Sequence, residues 1–419
     1  MSEEKVEMKK IACQCCGEEV HVILPHLEKK HPGMTLAKYK VDYPDAPLVS
    51  DIAIERLVEN KRYDDLKITL GVTSLAGIPG CESVAEEEKS EAPASENKEE
   101  NATFSNGITG KQTTFDVVFG MKDEPRALGV AGNHIPIHEY DVPEELKAFI
   151  EDKDQNYVFN VEVLKDAMMG VEFNIPTFIH GGAGTGKSTL VEQISAHTKR
   201  PLIRVQHTRN TEESHVIGQY VVKDGATVFE LGPLPYAMLN GLIYLADEYD
   251  FAPPSVTALY QPVLEGKSLV IKEAPPELRH IRPHPLFRMI ATGNTNGTGD
   301  ETGLYQGTMQ GNAANYERFG VMIEMPYLPA SIETEVLLKQ GGIARSDSEK
   351  LVKFANLIRE GFKSGEVGMA ISTRALINAC KTGKPKRSFA KGIGLSYINR
   401  LNSVDRQVAK EILDRVGIA

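Results

Sequence analysis

Gly181-Gly182-Ala183-Gly184-Thr185-Gly186-Lys187-Ser188 fits the pattern GxxxxGK[ST]. An apolar stretch with strand character, residues 176–180, precedes it, and a stretch with helical character follows from Thr189 to residue 197. Phosphate binding needs this strand, loop and helix in that order. Glycines let backbone N–H groups converge on phosphate oxygens, a lysine neutralises the β and γ phosphates, and a hydroxyl serves Mg²⁺, all at a helix N-terminus whose dipole favours anions. Lys187 and Ser188 are the residues expected in the last two roles. Gly181, Gly182, Ala183, Gly184, Thr185, Gly186 and Thr189 are expected to complete the contacts with ATP.

A phosphate loop of this kind requires a carboxylate at the end of a neighbouring strand. Leu242-Ile243-Tyr244-Leu245-Ala246-Asp247-Glu248 supplies an apolar run that ends in two acids. Asp247 is expected to hold Mg²⁺ through water, and Glu248 to act as the general base on the attacking water. Further apolar runs at 201–206, 287–291 and 321–325, separated by helical or looped segments, complete the pattern of a five-stranded parallel sheet with helices on both faces, an α/β layout. Beyond residue 329 the periodicity turns helical, at 333–340, 348–362, 374–380 and 404–416.

Composition sets the outer limits. The 419 residues suggest two to three domains at about 150 residues each. Hydrophobic residues at 41% and charged residues at 25% exclude collagenous, coiled-coil and wholly disordered chains. No apolar run approaches the roughly 20 residues of a membrane span, and no secretory signal follows the charged first ten residues, so a cytoplasmic location without membrane contact is expected. A net charge of −11 would repel a nucleic-acid backbone from the molecule as a whole. Residues 82–101 hold eight glutamates against two lysines, the mark of an acidic disordered linker. The expected domains are therefore 1–75, a linker at 76–103, an α/β nucleotide-binding domain at 104–328 with its core from about 150, and a helical domain at 329–419.

The Asp-Glu pair sets the chain apart from GTPases and small-molecule kinases and points to an AAA+ ATPase. Three more residues are then expected. Asn294, just past the fourth strand, would orient the lytic water from the side opposite Glu248. Arg318, closing a helix before the last strand, would reach the γ-phosphate of a neighbouring subunit. Arg374, at the start of a C-terminal helix, would read the nucleotide of its own subunit. Residues 219–231 read as a hairpin turning at Lys223-Asp224-Gly225, and residues 266–281 as a second excursion. Tyr157-Val158-Phe159 is expected to flank the adenine.

From about residue 104 to the C-terminus the chain resembles the CobS-type subunits of aerobic cobaltochelatases, within the MoxR-type AAA+ group. The resemblance is carried by Gly181 to Ser188, Asp247-Glu248-Tyr249-Asp250, Ile281-Arg282-Pro283-His284-Pro285, Ala291-Thr292-Gly293-Asn294, Gly303-Leu304-Tyr305-Gln306-Gly307-Thr308 and Ser372-Thr373-Arg374. It implies an AAA+ P-loop fold with a C-terminal helical lid and a ring of subunits, most often six, with ATP between them. It also implies a partner bearing a von Willebrand A domain, and a client that is remodelled or receives a metal.

The N-terminal segment stands apart. Cys13 and Cys16, followed by His26 and His31, give two thiolates and two imidazoles near zinc-finger spacing, with a helix expected over 24–30 and with Cys15 and His21 as spare ligands. Tetrahedral Zn²⁺ is the expected occupant. The run of Cys-x-x-Cys-Gly, His26, His31, Tyr39 and Tyr43-Pro44 is similar to Ros/MucR-type zinc fingers, which bind DNA. Residues 1–75, however, hold 11 Lys and Arg against 13 Asp and Glu, and Arg56 is the first arginine. A duplex-binding face normally carries basic excess. Two roles for the finger stay open: protein docking, and recruitment of a DNA-associated machine, the alternative reading of the whole chain.

Overall fold

The computed structural model describes residues 10–31, 33–43, 46–59, 101–104, 106–129, 132–299 and 307–418, which fall into two compact units, 1–98 and 99–419. Residues 60–100, which hold Cys81 and nearly all of the expected linker, and the motif residues 303–306 lie outside the described residues. Among the described residues no helix is long and apolar enough to cross a membrane.

The first unit opens with a small antiparallel hairpin, β1 (Ile11–Ala12) and β2 (Glu19–Val20), followed by α1 (Ile23–Lys30), α2 (Leu36–Asp42) and α3 (Asp51–Glu59). Among the described residues its apolar cluster is small, built on the buried Cys13, Ile23, Leu27 and Tyr39. Thr35 caps α2 by accepting from the Lys38 N–H.

The second unit begins with an antiparallel sheet of β3 (Asn101–Thr103), β4 (Thr109–Thr114) and β5 (Pro136–Asp141). Residues 101–103, expected at the end of a disordered linker, are thus strand. The alternation of helix and strand follows: α4 (Val161–Glu172), β6 (Thr177–His180), α5 (Lys187–Thr198), β7 (Leu202–Gln206), the hairpin β8 (Gly218–Lys223) and β9 (Ala226–Leu231), α6 (Pro233–Asn240), β10 (Ile243–Asp247) and α7 (Pro254–Leu264). After α7 come the short pair β11 (Leu269–Val270) and β12 (His280–Ile281), then β13 (Arg288–Gly293) and β14 (Val321–Glu324). The hairpin turns where expected, with Asp224 at φ 52° and Gly225 at φ 80°, as a two-residue turn requires.

The five expected strands form one parallel sheet in the order β14-β6-β13-β10-β7. Alternate side chains of β10 serve the two faces: Ile243 and Leu245 join the core that includes Leu164 and Ile194, whereas Tyr244 and Ala246 join the core that includes Val256 and Tyr260. Burial on both faces explains why this strand reads as an unbroken apolar run.

Five helices close the chain: α8 (Ala330–Lys339), α9 (Arg345–Ser364), α10 (Thr373–Gly383), α11 (Phe389–Ser396) and α12 (Ser403–Val416). Gly365 at φ 81° ends α9, and the hydroxyl of Ser372 starts α10 by accepting from the Ala375 N–H. These helices share a core built on Leu337, Leu351, Phe354, Leu376 and Cys380. Burial pushes the Cys380 thiol up to about 12, so it packs as an apolar group.

Candidate functional site

Because β6, β13 and β10 are adjacent and parallel, the loops leaving their C-terminal ends meet. The loop after β6 requires glycine on geometric grounds. Gly181, Gly184 and Gly186 hold φ of 148°, 75° and 96°. A Cβ on Gly181 would lie 2.3 Å from the Met325 carbonyl oxygen.

Lys187 opens α5 and is almost fully buried. Its Nζ donates to the carbonyls of Gly181 at 2.7 Å and Gly182 at 3.0 Å, and to Oδ1 of Asn294 at 3.1 Å. Burial presses its ammonium down to about 8, against the pull of Asp250, Asp247 and Glu248. Next to it, Ser188 Oγ donates to Oδ1 of Asp247 at 2.7 Å, and Thr292 Oγ1 donates to the same oxygen. Burial alone would raise the Asp247 carboxyl. The two hydroxyls and the Arg204 guanidinium outweigh it and hold the group below its ordinary range.

Glu248 follows β10 with φ 54°, a left-handed conformation that non-glycine residues adopt at a cost and that concentrates at functional sites. Its backbone N–H donates to Thr292 Oγ1 at 3.3 Å, and its Oε2 accepts from Gln206 Nε2 at 2.9 Å. Asn294 is set by Asp250, whose Oδ2 accepts from the N–H groups of Asn294 and Thr295 at 2.8 and 2.9 Å and from the Thr295 hydroxyl at 3.1 Å. Burial raises the Asp250 carboxyl.

The structure therefore brings Lys187, Ser188, Asp247, Glu248 and Asn294 to one place. Arg374 joins them from α10: with Tyr157, Val158, Gly184, Thr185, Gly186 and Thr189 it lines a cavity of about 260 Å³ beside the loop. Phe159 is buried in the core, so only two members of the expected aromatic stretch face this cavity. Arg318 does not line it. This arginine lies two residues past a four-residue helix, Ala313–Tyr316, rather than closing it, and its Nε donates to Oε1 of Glu265 at 2.8 Å.

Four contributors have no role assigned from sequence. Arg204 donates through Nε to Asp247 Oδ2 at 2.8 Å and through Nη1 to Glu192 at 2.7 Å, while Gln206, on the same face of β7, reaches Glu248. Thr292 and Asp250 belong to stretches that resemble the family but have no role assigned from sequence. Their functions emerge only from strand adjacency.

In the first unit, one ligand atom each from Cys13, Cys16, His26 and His31 lies within 4.8 Å of the others. Cys16 Sγ is 3.2 Å from His26 Nε2, and Cys13 Sγ is 4.0 Å from His31 Nε2. Zn–S near 2.3 Å and Zn–N near 2.0 Å put tetrahedral ligand atoms roughly 3.5 Å apart, so this donor set fits Zn²⁺. His26 sits in α1 and His31 caps its end, one residue beyond the expected helix. Of the two spare ligands, His21 bonds instead to the Ser50 hydroxyl at 2.9 Å, and neither belongs to the group.

Residues 176–309 match the family described as AAA domain (dynein-related subfamily), and residues 333–388 match CbbQ/NirQ/NorQ C-terminal. The chain is 33% identical over 279 residues to the aerobic cobaltochelatase subunit CobS of Sinorhizobium sp, spanning 64% of this chain and 83% of that protein. It is 25% identical over 241 residues to NorQ of Paracoccus denitrificans, across 58% and 85% of the two chains. With CbbQ of Hydrogenophilus thermoluteolus it shares 26% identity over 206 residues, 49% of this chain and 73% of that one.

Proposed function

Since the chain belongs to the MoxR-type AAA+ ATPase family, we propose that it works as a ring motor, with ATP hydrolysis driving the remodelling of a client, or metal insertion into it, alongside a von Willebrand A-domain partner. The observation that carries this reading is the convergence of Lys187, Ser188, Asp247, Glu248 and Asn294 at the C-terminal ends of three adjacent strands.

In this reading the N-terminus of α5 and the loop N–H groups bind the phosphates, and Lys187 neutralises the β and γ oxygens. Ser188 and Asp247 hold Mg²⁺, which when bound neutralises phosphate charge and orients the phosphate oxygens. Glu248 takes the proton from a water that attacks the γ-phosphorus as the bond to the bridging oxygen breaks and ADP leaves. Asn294 orients that water. Arg374 contacts the nucleotide from its own chain, and Arg318, outside its own pocket, serves the neighbouring subunit's γ-phosphate. At the N-terminus, Cys13, Cys16, His26 and His31 hold a structural Zn²⁺ in a module that docks protein, in keeping with the lack of basic excess over residues 1–75.

Glu248→Gln tests the assignment. The variant should bind ATP and assemble, with turnover reduced by about a hundredfold or more, and should retain a von Willebrand A-domain protein when purified from its native cell with ATP. Wild-type turnover in the variant would sink the active-site assignment. A trapped ring that never carries such a protein would sink the partner.

A further inference from the structure

The helical part of the second unit contains a polar cluster that none of the steps above uses. Glu333 on α8 is fully buried and Arg359 on α9 is 5% exposed. They form a two-pronged pair, with Arg359 Nη1 donating to Oε2 and Nη2 to Oε1 of Glu333, each at 2.7 Å. Taking two charges out of water is costly, and apolar residues of similar volume would often serve stability as well. The remaining bonds of the pair show what it holds.

Arg359 Nε donates to the carbonyl of Ile371 at 3.0 Å, and the Thr373 hydroxyl donates to Oε1 of Glu333 at 2.6 Å. These contacts bracket Ser372, the cap of α10. Arg374 is the next residue, and both Thr373 and Arg374 line the nucleotide cavity. The guanidinium of Arg359 also lies over the Tyr327 ring, 4.2 Å from its centroid, in the segment that joins β14 to α8. Ser372 in turn abuts the phosphate loop: a Cβ on Gly184 would sit 2.7 Å from its Cβ and Oγ.

We infer that the Glu333–Arg359 pair, acting through Thr373 and the Ile371 carbonyl, is a positioning element that fixes the first turn of α10 and so holds Arg374 against the nucleotide. One guanidinium ties the connecting segment, α8 and the start of α10 together, so the lid moves as one body with the arginine that reads the nucleotide. The inference rests on the nucleotide-contact role proposed above for Arg374.

The test uses the full chain and steady-state ATP hydrolysis. Thr373→Val keeps the side chain's shape and removes the donor; loss of one hydrogen bond to a charged group corresponds to about a tenfold rise in KM for ATP. Thr373→Ser should restore the wild-type value, and Glu333→Gln should shift KM in the same direction as Thr373→Val. Arg374→Ala should also raise KM, and adding Thr373→Val to it should raise KM no further, because both act through one group. A Thr373→Val protein that loses thermal stability yet keeps wild-type KM, while Arg374→Ala raises KM, would make the pair merely structural and overturn the inference. An Arg374→Ala protein with wild-type KM would overturn the role of Arg374 and the inference with it.

Discussion

The nucleotide site is assembled from groups far apart in the chain, Lys187 meeting Asn294 at a separation of 107 and Ser188 meeting Asp247 at 59, whereas the Cys and His group at the N-terminus lies within a separation of 18, from Cys13 to His31. The first site is held by the sheet. Its sheet has apolar cores on both faces, and the Asp247 carboxylate is held by Ser188, Thr292 and Arg204. Among the described residues the second has an apolar cluster with four buried members, and on the proposed reading it draws its order from its ligands. A small module with so little apolar burial is marginal without a crosslink, so the Zn²⁺ proposed for Cys13, Cys16, His26 and His31 would make metal binding and folding one equilibrium there.

The largest effects should therefore dissociate. A zinc-selective chelator is expected to raise protease cleavage within residues 10–59 by about tenfold or more while leaving ATP affinity unchanged. Lys187→Ala is expected to weaken ATP binding by about a hundredfold or more while the N-terminal module stays protease-resistant. Limited proteolysis and nucleotide titration on the same samples decide it. A chelator that abolishes ATP binding would break the comparison by showing that the two units depend on one another.

A second expected effect concerns pH. With its ammonium pressed to about 8, Lys187 loses its proton as pH rises through that value, and phosphate binds the charged form more tightly. ATP binding then takes up a proton above pH 8. The Kd should be level below pH 7 and should climb toward about tenfold per unit above pH 8. Titration with a fluorescent ATP analogue from pH 6.5 to 9.5 measures this, and a Kd flat to pH 9.5 would contradict a phosphate contact made by a lysine whose ammonium is so lowered.

The same contrast explains what could be read before folding. The central strands β6, β10 and β13 are legible because double burial demands apolar runs, and the Cys and His group because its members are close in sequence. The antiparallel sheet of β3, β4 and β5 is not, since β4 reads Thr-Gly-Lys-Gln-Thr-Thr and has no apolar alternation. Helix α11 is hidden by Gly392 and Gly394, both poor helix formers. Arg204 and Gln206 look like ordinary exposed residues of a strand. They become site residues only because β7 lies beside β10, an adjacency set by sheet topology and not by local pattern.

Asp250 offers the smallest and sharpest test, because it touches the site at two points. Its carboxylate fixes the Asn294 backbone, and it is the foremost of the acids that hold the Lys187 ammonium up against burial. Asp250→Asn keeps an oxygen that can accept from the Asn294 and Thr295 N–H groups but removes the charge. At pH 7 the turnover should fall about fivefold with little change in KM, the difference between a charged and a neutral hydrogen bond. Burial, less opposed, should push the Lys187 ammonium lower, so the alkaline loss of ATP affinity should begin at a lower pH. A slower enzyme with an unmoved alkaline limb would confine Asp250 to the Asn294 loop. A moved limb with normal turnover would confine it to Lys187. If neither changed, the long-range network would end at Asp247 and Glu248, and the nucleotide site would be less dependent on distant groups than its geometry implies.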